Sequence, residues 1–291
     1  MTKICIIGST GLLGQALIKE CKKRNFETIG VAPINADFCF DITDDKTLSD
    51  FLKREKFDVV INTVAIVNHK ICDDEPQKAY LINARPSSIL ASLSSELNFK
   101  YVYISTDGYF SGDKNGKHDE NSPIEILNEY ARTKYIGERF ALLAPNSLVT
   151  RTNIVGFRND ETPTFFEWVL NSLKKQDEMT LFDDYFTSSI SVAQFSKALL
   201  DLIEKNACGL YNLASSQVSS KKDFIEKTAE IFNFKLTNAK TGSVNQLSSK
   251  RADSLGLNVE KSEQILGYKL PNLTEVIQQL KVEYDELQSR N

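Results

Sequence analysis

Three glycines near the N-terminus constrain the fold of this chain more than any other feature. Gly8, Gly11 and Gly14 directly follow an apolar run at 4–7 and open a stretch with helical periodicity. In such a strand–turn–helix, the first glycine makes the tight turn, the second lets backbone approach a pyrophosphate, and the third lets the helix pack closely on the sheet. Three glycines could also form a simple tight turn. Their position between strand and helix favours nucleotide binding, although the spacing is three-then-three rather than two-then-three.

The first half of the chain alternates short apolar runs with longer amphipathic stretches. The runs predict strands at 4–7, 27–32, 59–62, 101–105 and 147–151, and the stretches predict helices at 12–24, 45–55, 76–97 and 130–143. Thr43 and Asp44 are suitable caps for the helix at 45–55. Alternating strands and helices imply a parallel sheet with helices on both faces and right-handed crossovers. The predicted fold class is therefore α/β, a Rossmann doubly wound parallel sheet.

The alternation weakens after residue 151. Helices are predicted at 162–175 and 192–204, a polar stretch at 183–191, a strand at 209–213, and a helix-rich remainder from 219. This pattern predicts a Rossmann domain at 1–156, to which 190–215 returns. Segments 157–189 and 216–291 are predicted to form a smaller C-terminal substrate-binding portion.

Charge and cysteine usage limit the partners and the compartment. The net charge of −4 gives no general attraction to nucleic acid or to an anionic membrane. Five cysteines are scattered without CxxC spacing, and His69 and His118 are the only histidines, so no metal site is predicted. The N-terminus opens directly into a strand, and no apolar run is long enough to cross a bilayer. We therefore expect a reduced protein of the cytoplasm.

The end of the second predicted strand bears on the choice of cofactor. A carboxylate there would bond the ribose 2′-OH of NAD, whereas an arginine would hold the 2′-phosphate of NADP. The strand ends at Ala32 and Pro33 with neither, which slightly favours NADP(H) and leaves NAD(H) possible. Asp41 and Ile42 are placed to meet the adenine edge, although Asp41 could equally be a helix-start residue.

Tyr130 and Lys134 lie four residues apart on one face of a predicted helix. A phenol with a pKa near 10 is a poor acid at neutral pH, and a nearby ammonium lowers that pKa toward the working range. Alone, this spacing is common on exposed helix faces. Ser105 and Thr106 add to it, because they end a predicted parallel strand at its carboxyl edge, where such sheets bind ligands. A hydroxyl there can hydrogen-bond a substrate carbonyl, or it can merely bond local backbone.

Taken together, the segments GSTGLLG at 8–14, STD at 105–107 and YARTK at 130–134 resemble the extended short-chain dehydrogenase/reductase superfamily. Within it, the chain is most similar to the dTDP-4-dehydrorhamnose reductase group of sugar-nucleotide enzymes. The similarity extends through NTVA at 62–65, the segment 74–84, the loop 116–123 and the closing segments 250–251 and 266–268.

The resemblance implies a role for each matched residue. Thr106 would polarise the sugar carbonyl, Tyr130 would be the general acid, and Lys134 would tune Tyr130 and bond the nicotinamide ribose. Substrate contacts would come from Asp107, Asn153 and Arg251. Cofactor contacts would come from Gly8, Thr10, Gly11, Leu12, Leu13, Gly14, Asp41, Ile42, Ala65, Asn83, Ser105, Tyr130 and Lys134. Family members reduce nucleotide-linked keto sugars for surface polysaccharides, and many are homodimers.

Three segments depart from the pattern of that group, and they concern the sugar rather than the hydride transfer. Gly108 intervenes before the aromatic pair Tyr109 and Phe110, Asn153 lies in a segment that usually carries a tryptophan, and the loop 183–187 lacks a proline. The alternatives are a dehydratase or epimerase of the same superfamily, or a catalytically silent regulator like the regulatory subunit of methionine adenosyltransferase. Gly108 stands where a dehydratase has its additional acid, and 105–112 has no cysteine for the epimerase chemistry.

Overall fold

The computed structural model of the chain describes residues 2–158, 162–246 and 252–289. The helices are α1 (Leu12–Lys23), α2 (Asp45–Glu55), α3 (His69–Asp74), α4 (Pro76–Asn83), α5 (Arg85–Leu97), α6 (Glu129–Ala141), α7 (Phe165–Lys175), α8 (Val192–Glu204), α9 (Lys221–Ile231), α10 (Glu260–Leu266) and α11 (Leu273–Gln288). The strands are β1 (Lys3–Ile7), β2 (Glu27–Ala32), β3 (Phe38–Cys39), β4 (Val59–Asn62), β5 (Lys100–Ile104), β6 (Ser147–Arg151), β7 (Ile154–Val155), β8 (Met179–Phe182), β9 (Phe186–Thr187), β10 (Ile190–Ser191), β11 (Gly209–Asn212), β12 (Ser219–Ser220), β13 (Ala239–Gly242) and β14 (Ser254–Leu255).

The chain divides into two compact units. The first comprises Met1–Thr106, Ile126–Arg151 and Ser196–Tyr211, and the second comprises Asp107–Glu125, Thr152–Phe195 and Asn212–Asn291. The sequence assigns 107–125 to the first portion, whereas the structure assigns it to the second unit. Backbone bonds within that unit explain the difference: His118 N donates to Gly256 O at 2.9 Å, and Asn258 N donates to His118 O at 2.7 Å.

A seven-stranded sheet in the order β3-β2-β1-β4-β5-β6-β11 organises the first unit. The registered pairs β1–β2, β1–β4, β2–β3, β4–β5 and β5–β6 are all parallel. This strand order is that of the Rossmann fold, and the predicted fold class is confirmed. The order reverses between β1 and β4, so the ligand-binding crevice of such a sheet lies at the carboxyl ends of these two strands.

The central strands form where the sequence has continuous apolar runs, as expected of strands that are buried on both faces. β4 and β5 are buried at every position. Helix α1 buries Leu13, Leu17 and Cys21, which recur at intervals of four residues on one face. One hydrophobic core of this unit includes Val60, Leu90, Tyr101, Tyr103 and Val149.

The prediction of one helix over 76–97 is wrong, because the segment forms α4 and α5, which meet at Ala84. Pro86 lies in the first turn of α5. Proline has no N–H to donate, and its ring collides with the carbonyl four residues earlier, so it starts a helix better than it continues one. The sequence analysis also missed α3, whose first turn is capped by Asn68 through a bond from Ile71 N at 3.2 Å.

The described residues of the second unit form three small sheets, with orders β10-β7, β12-β9-β14 and β13-β8. Its cores include Phe166, Leu170, Phe224 and Ile277. Capping boxes start α7, α9 and α11. The polar stretch at 183–191 contains β9 and β10, for which no strand was predicted. Each has two residues, which is too short to show a period-two pattern in the sequence.

A buried ion pair joins α6 to the end of β6 in the first unit. Arg151 Nη2 and Nε donate to Glu138 Oε1 and Oε2 at 2.7 and 3.0 Å. Ser105 Oγ donates to Glu138 Oε2 at 2.8 Å. The Glu138 side chain is fully buried and that of Arg151 is only 4% exposed, so both charges depend on each other for compensation.

We expect Arg151→Met to lower the free energy of unfolding by about 3–5 kcal/mol, because it leaves the Glu138 carboxylate buried and unpaired. Urea denaturation of the purified variant measures this. The double variant Glu138→Gln with Arg151→Met should recover most of the loss, since no buried charge is then left alone. Lys46→Met is the matched control: it breaks a pair of exposed side chains with Asp50 and should leave stability nearly unchanged. An Arg151→Met variant no less stable than this control contradicts the expectation.

Candidate active site

The turn after β1 is shaped by contacts that only glycine permits. Gly8 has a φ of +88°, and its amide donates to Val31 O at 2.8 Å. A Cβ on Gly14 would lie 2.1 Å from Gly8 O, so no larger residue fits at this point of α1. Gly11 caps α1 without a side-chain hydrogen bond. The first turn of the helix therefore presents backbone N–H groups without intrahelical acceptors, which suits an anionic pyrophosphate.

The other residues predicted to bind a cofactor at this turn lie on the same segment. Thr10 is exposed, and its carbonyl accepts from Gln15 Nε2 at 2.6 Å. Leu12 and Leu13 are the first two residues of α1, so their amides belong to the helix N-terminus. Leu13 also packs its side chain into the core.

Asp37 lies beside β2, and the sequence analysis did not identify it. Its Oδ2 accepts from Gly30 N at 2.7 Å. A Cβ on Gly30 would lie 2.8 Å from Ser9 Oγ and 3.4 Å from Asp37 Oδ2, so the carboxylate and the glycine turn meet the same side of β2. The end of the strand alone does not reveal this carboxylate, because the chain returns to the strand through the loop that follows Pro33.

Asp41 and Ile42, the residues predicted to meet the adenine, precede α2. Asp41 Oδ1 accepts from Thr43 N and from Thr43 Oγ1, both at 2.8 Å. Ile42 is 6% exposed and belongs to the core of the first unit. The predicted cap of α2 is confirmed for Asp44, which accepts from Thr47 N at 3.1 Å.

Asn83 braces the loop that follows β4, where Ala65 lies half-buried. Asn83 Oδ1 accepts from Ile66 N at 2.7 Å, and Nδ2 donates to Ile66 O and to Thr133 Oγ1, both at 3.1 Å. The amide thus ties this loop to α6. Its side-chain donors and acceptor serve neighbouring protein groups, and this arrangement positions Ala65 at the carboxyl end of β4.

Ser105 and Thr106 follow β5 directly and are both buried. Ser105 N donates to Thr150 O at 2.7 Å, which continues the pairing with β6 by one residue. The Ser105 hydroxyl is directed to Glu138. Thr106 is the next residue, so its position at the carboxyl end of the sheet depends on this anchor.

Tyr130 lies in the first turn of α6, as the sequence predicts. Asn128 starts the helix by accepting from Ala131 N at 2.9 Å. The Tyr130 ring stacks on His69 of α3, with ring centroids 5.0 Å apart and planes 20° apart. His69 was not identified from the sequence as a neighbour of the tyrosine, because α3 itself was not predicted.

Lys134 lies one turn further along α6 and is 3% exposed. Its Nζ donates to Ile104 O, the last carbonyl of β5, at 2.6 Å. The same ammonium lies 4.3 Å from the centroid of the Tyr103 ring. Burial lowers the pKa of Lys134 to about 7, and the negative charge of Glu138 opposes this shift.

Glu138 completes a row on α6, because Tyr130, Lys134 and Glu138 follow each other at intervals of four residues. It is the partner of Ser105 and Arg151 and the charge that favours the ammonium form of Lys134. The spacing from Lys134 is the sequence signal that could have revealed it.

Of the residues predicted to contact substrate, two lie together in the second unit. Asn153 Nδ2 donates to Asp107 Oδ2 at 2.9 Å, and Asn153 Oδ1 accepts from Ser189 Oγ at 2.8 Å. Asp107 is 3% exposed. Arg251 lies outside the described residues.

The described residues offer neither a cluster of metal ligands nor a helix suited to a membrane. Across 2–158, 162–246 and 252–289, no group of three or more His, Cys, Asp or Glu side chains could hold a metal ion. In the same part of the chain, every helix is too short or too polar to span a lipid bilayer.

Comparison with known proteins identifies relatives along nearly the whole chain. A probable low-salt glycan biosynthesis reductase, Agl14 of Haloferax volcanii, is 24% identical and covers 98% of this chain and 99% of the relative. The dTDP-4-dehydrorhamnose reductase of Aggregatibacter actinomycetemcomitans is 26% identical over 92% of this chain and 94% of its own length. The crystal structure of the Bacillus anthracis dTDP-4-dehydrorhamnose reductase in complex with NADP shares the fold, with a TM-score of 0.86 at 23% identity over 97% of this chain and 100% of that chain.

A protein-family model with the description "RmlD substrate binding domain" matches residues 1–285. This match covers the glycine turn, the strand end at Thr106, the Tyr130–Lys134 helix and most of the second unit. The chain therefore belongs to the RmlD substrate binding domain family.

Proposed function

We propose that this chain is an NAD(P)H-dependent reductase of a nucleotide-linked keto sugar in glycan biosynthesis. The observation that carries the proposal is the position of the Lys134 ammonium, held 2.6 Å from Ile104 O and one helical turn from Tyr130. The proposal is supported by family membership and by relatives that are named as reductases of dTDP-4-dehydrorhamnose and of glycan biosynthesis.

The residues of the first unit suit each step of carbonyl reduction. When bound, the nicotinamide cofactor supplies a hydride to the carbonyl carbon. The Thr106 hydroxyl hydrogen-bonds the carbonyl oxygen, and the Tyr130 phenol gives its proton to that oxygen as the alcohol forms. The Lys134 ammonium stabilises the phenolate that remains, and so lowers the pKa of the phenol toward neutrality. The N-terminus of α1 and the turn at Gly8 would hold the cofactor pyrophosphate.

Asp37 bears on which nicotinamide cofactor is bound. The slight preference for NADP(H) rested on the lack of a carboxylate at the end of β2, and Asp37 supplies one beside the glycine turn. A carboxylate there accepts a hydrogen bond from a ribose 2′-OH and repels a 2′-phosphate. We therefore propose that the protein prefers NADH over NADPH.

A dehydratase or an epimerase would need residues that the chain lacks, and a silent regulator would not need catalytic residues that the chain keeps. Gly108 has no side chain to act as the additional acid of a dehydratase, and no cysteine lies in 105–112 for an epimerase. A silent regulator would have no need of the complete set Thr106, Tyr130 and Lys134. A panel of nucleotide-linked keto sugars, assayed by the loss of NADH or NADPH absorbance, separates these classes. Tight cofactor binding without turnover of any sugar would favour the regulator.

We also propose that the protein is cytoplasmic and that it forms a homodimer. The five cysteines are free thiols, which fits the reducing cytoplasm. Family resemblance supports a homodimer, and the molecular mass in solution tests it.

We expect Tyr130→Phe to lower kcat by about a hundredfold or more, because it removes the proton donor and keeps the ring that stacks on His69. Cofactor affinity, measured by fluorescence titration, should stay within about twofold. Lys134→Met should weaken both turnover and cofactor binding. A Tyr130→Phe variant that loses cofactor binding in parallel with turnover would contradict the assigned role.

The rate of reduction should fall as the pH rises through about 7. Burial lowers the pKa of Lys134 to about this value, so the ammonium that supports Tyr130 is present below it and is lost above it. The pH dependence of kcat/KM measures this limb, whose apparent pKa belongs to the coupled pair. Lys134→Arg keeps its charge at alkaline pH and should move the limb of the residual activity upward. An unmoved limb would assign the titration to another group.

Removing the charge of Asp37 should change cofactor preference. We expect Asp37→Asn to tighten NADPH binding relative to NADH by about five- to tenfold, because the 2′-phosphate is no longer repelled. Dissociation constants for both cofactors, measured at one ionic strength, give the ratio. Asp50→Asn makes the same charge change at an exposed position on α2 and should leave the ratio unaltered. The prediction fails if both variants behave alike.

A further inference from the structure

A hydrogen-bonded network in the second unit surrounds Asp107. Asn153 bridges Asp107 and Ser189, and the hydroxyls of Ser189 and Thr187 lie 3.1 Å apart. Asp107, Thr187 and Ser189 are all buried. These bonds fix the carboxylate of Asp107, the residue that directly follows Thr106 in the chain.

Lys221 presents an ammonium to the same part of the second unit. It is the first residue of α9, and its backbone N–H donates to Tyr185 O at 2.9 Å. Its Nζ lies 4.1 Å from the ring centroid of Phe165, 5.7 Å from that of Tyr185 and 5.9 Å from that of Phe224. Three aromatic rings therefore hold the charge in one place.

The ammonium has electrostatic neighbours but no strong acceptor. Aromatic faces attract a cation, yet an ammonium has three N–H donors that prefer oxygen. Within the part of the chain that the structure describes, no oxygen accepts a hydrogen bond from Lys221 Nζ, and Asp107 acts on it only through its charge. Desolvation lowers the pKa of Lys221 to about 8, against the opposing effect of Asp107. A bound anion would supply the acceptors that the protein does not.

We propose that Lys221 is a specificity-determining residue that binds an anionic oxygen group of the substrate. The inference rests on the proposed function, since a sugar nucleotide offers two such groups: the diphosphate that links sugar to nucleoside, and a carboxylate where the sugar is acidic. Both present the oxygens that a desolvated ammonium lacks. Lys221 acts on Asp107, which is hydrogen-bonded to Asn153, and both were expected to contact the substrate. An anion bound by Lys221 would therefore lie near those residues.

Trp168 offers a direct readout of binding at this place. It is the single tryptophan of the chain, it is 42% exposed, and its ring centroid lies 6.1 Å from that of Phe165, which carries the Lys221 ammonium on its face. Quenching of its fluorescence can be titrated with UDP, UDP-glucose and UDP-glucuronate, and in parallel with dTDP and dTDP-glucose. Titration calorimetry with the same probes gives the dissociation constants independently.

The variants are Lys221→Met, Lys221→Arg and, as the matched control, Lys222→Met. Lys222 is the adjacent lysine on α9, and its Nζ donates to Thr241 Oγ1 at 3.4 Å rather than lying among the rings. We expect Lys221→Met to weaken binding by about tenfold or more, the scale of a lost charge-assisted hydrogen bond. Lys221→Arg should keep most of the affinity, and Lys222→Met should keep all of it.

The pattern across the probes identifies the anion. If the diphosphate is bound, Lys221→Met weakens every probe alike. If a sugar carboxylate is bound, only UDP-glucuronate is weakened. The proposal is overturned if the wild-type protein binds none of the probes saturably, if Lys221→Met leaves every dissociation constant unchanged, or if Lys222→Met has an equal effect.

Binding of NADH or NADPH depends on residues of the first unit, so it should be unchanged in all three variants. Unchanged binding also shows that the variants are folded. Because these titrations need no turnover, a failed reductase assay leaves this test intact. Conversely, a failed titration leaves the reductase assay to be judged by itself.

Discussion

The hydrogen bond from Lys134 Nζ to Ile104 O is the constraint on which the rest of the first unit depends. Moving an ammonium out of water costs several kcal/mol unless the surroundings compensate for its charge. Here the compensation comes from the last carbonyl of β5, the face of the Tyr103 ring and the negative charge of Glu138. Those groups belong to β5 and α6, so the helix and the strand end can approach each other only in a geometry that satisfies all three. The four-residue spacing on α6 places Tyr130 one turn before Lys134.

Glu138 extends this constraint to the rest of the sheet edge. One carboxylate accepts from Ser105 and from Arg151, and it supports the charge of Lys134. Glu138 therefore adds a second tie between α6 and the end of β5, and it joins the end of β6 to the same helix. Thr106 follows Ser105 in the chain, so the hydroxyl expected to polarise the substrate and the lysine expected to tune the phenol share one anchor. A pair that looks purely structural by its burial is, in this account, also part of how the reactive groups are positioned.

The sequence predicted those parts of the molecule whose physical cause is local. The central strands β1, β4 and β5 form where apolar runs are continuous, α2 begins where Asp44 can cap it, and Tyr130 and Lys134 share a helix as their spacing requires. Features that depend on how the folded chain brings residues together were not predictable. The bond from Gly30 N to Asp37 depends on the conformation of the loop between them, and the rings around Lys221 come from separate segments of the second unit. Glu138 falls between these cases, because its spacing from Lys134 was visible while its partners Ser105 and Arg151 were not. The division of α4 from α5 could have been predicted from Pro86, because a proline disrupts the helical turn that precedes it.

Carbonyl reduction by this protein is tested most simply by following the hydride itself. NADH deuterated at C4, prepared separately with the label on each face of the ring, is incubated with the protein and a panel of nucleotide-linked keto sugars, and the products are analysed by mass spectrometry. We expect one sugar to gain a single deuterium at the former carbonyl carbon, from one face of the cofactor only. A protein that binds the cofactor tightly and transfers deuterium to no member of the panel would contradict it.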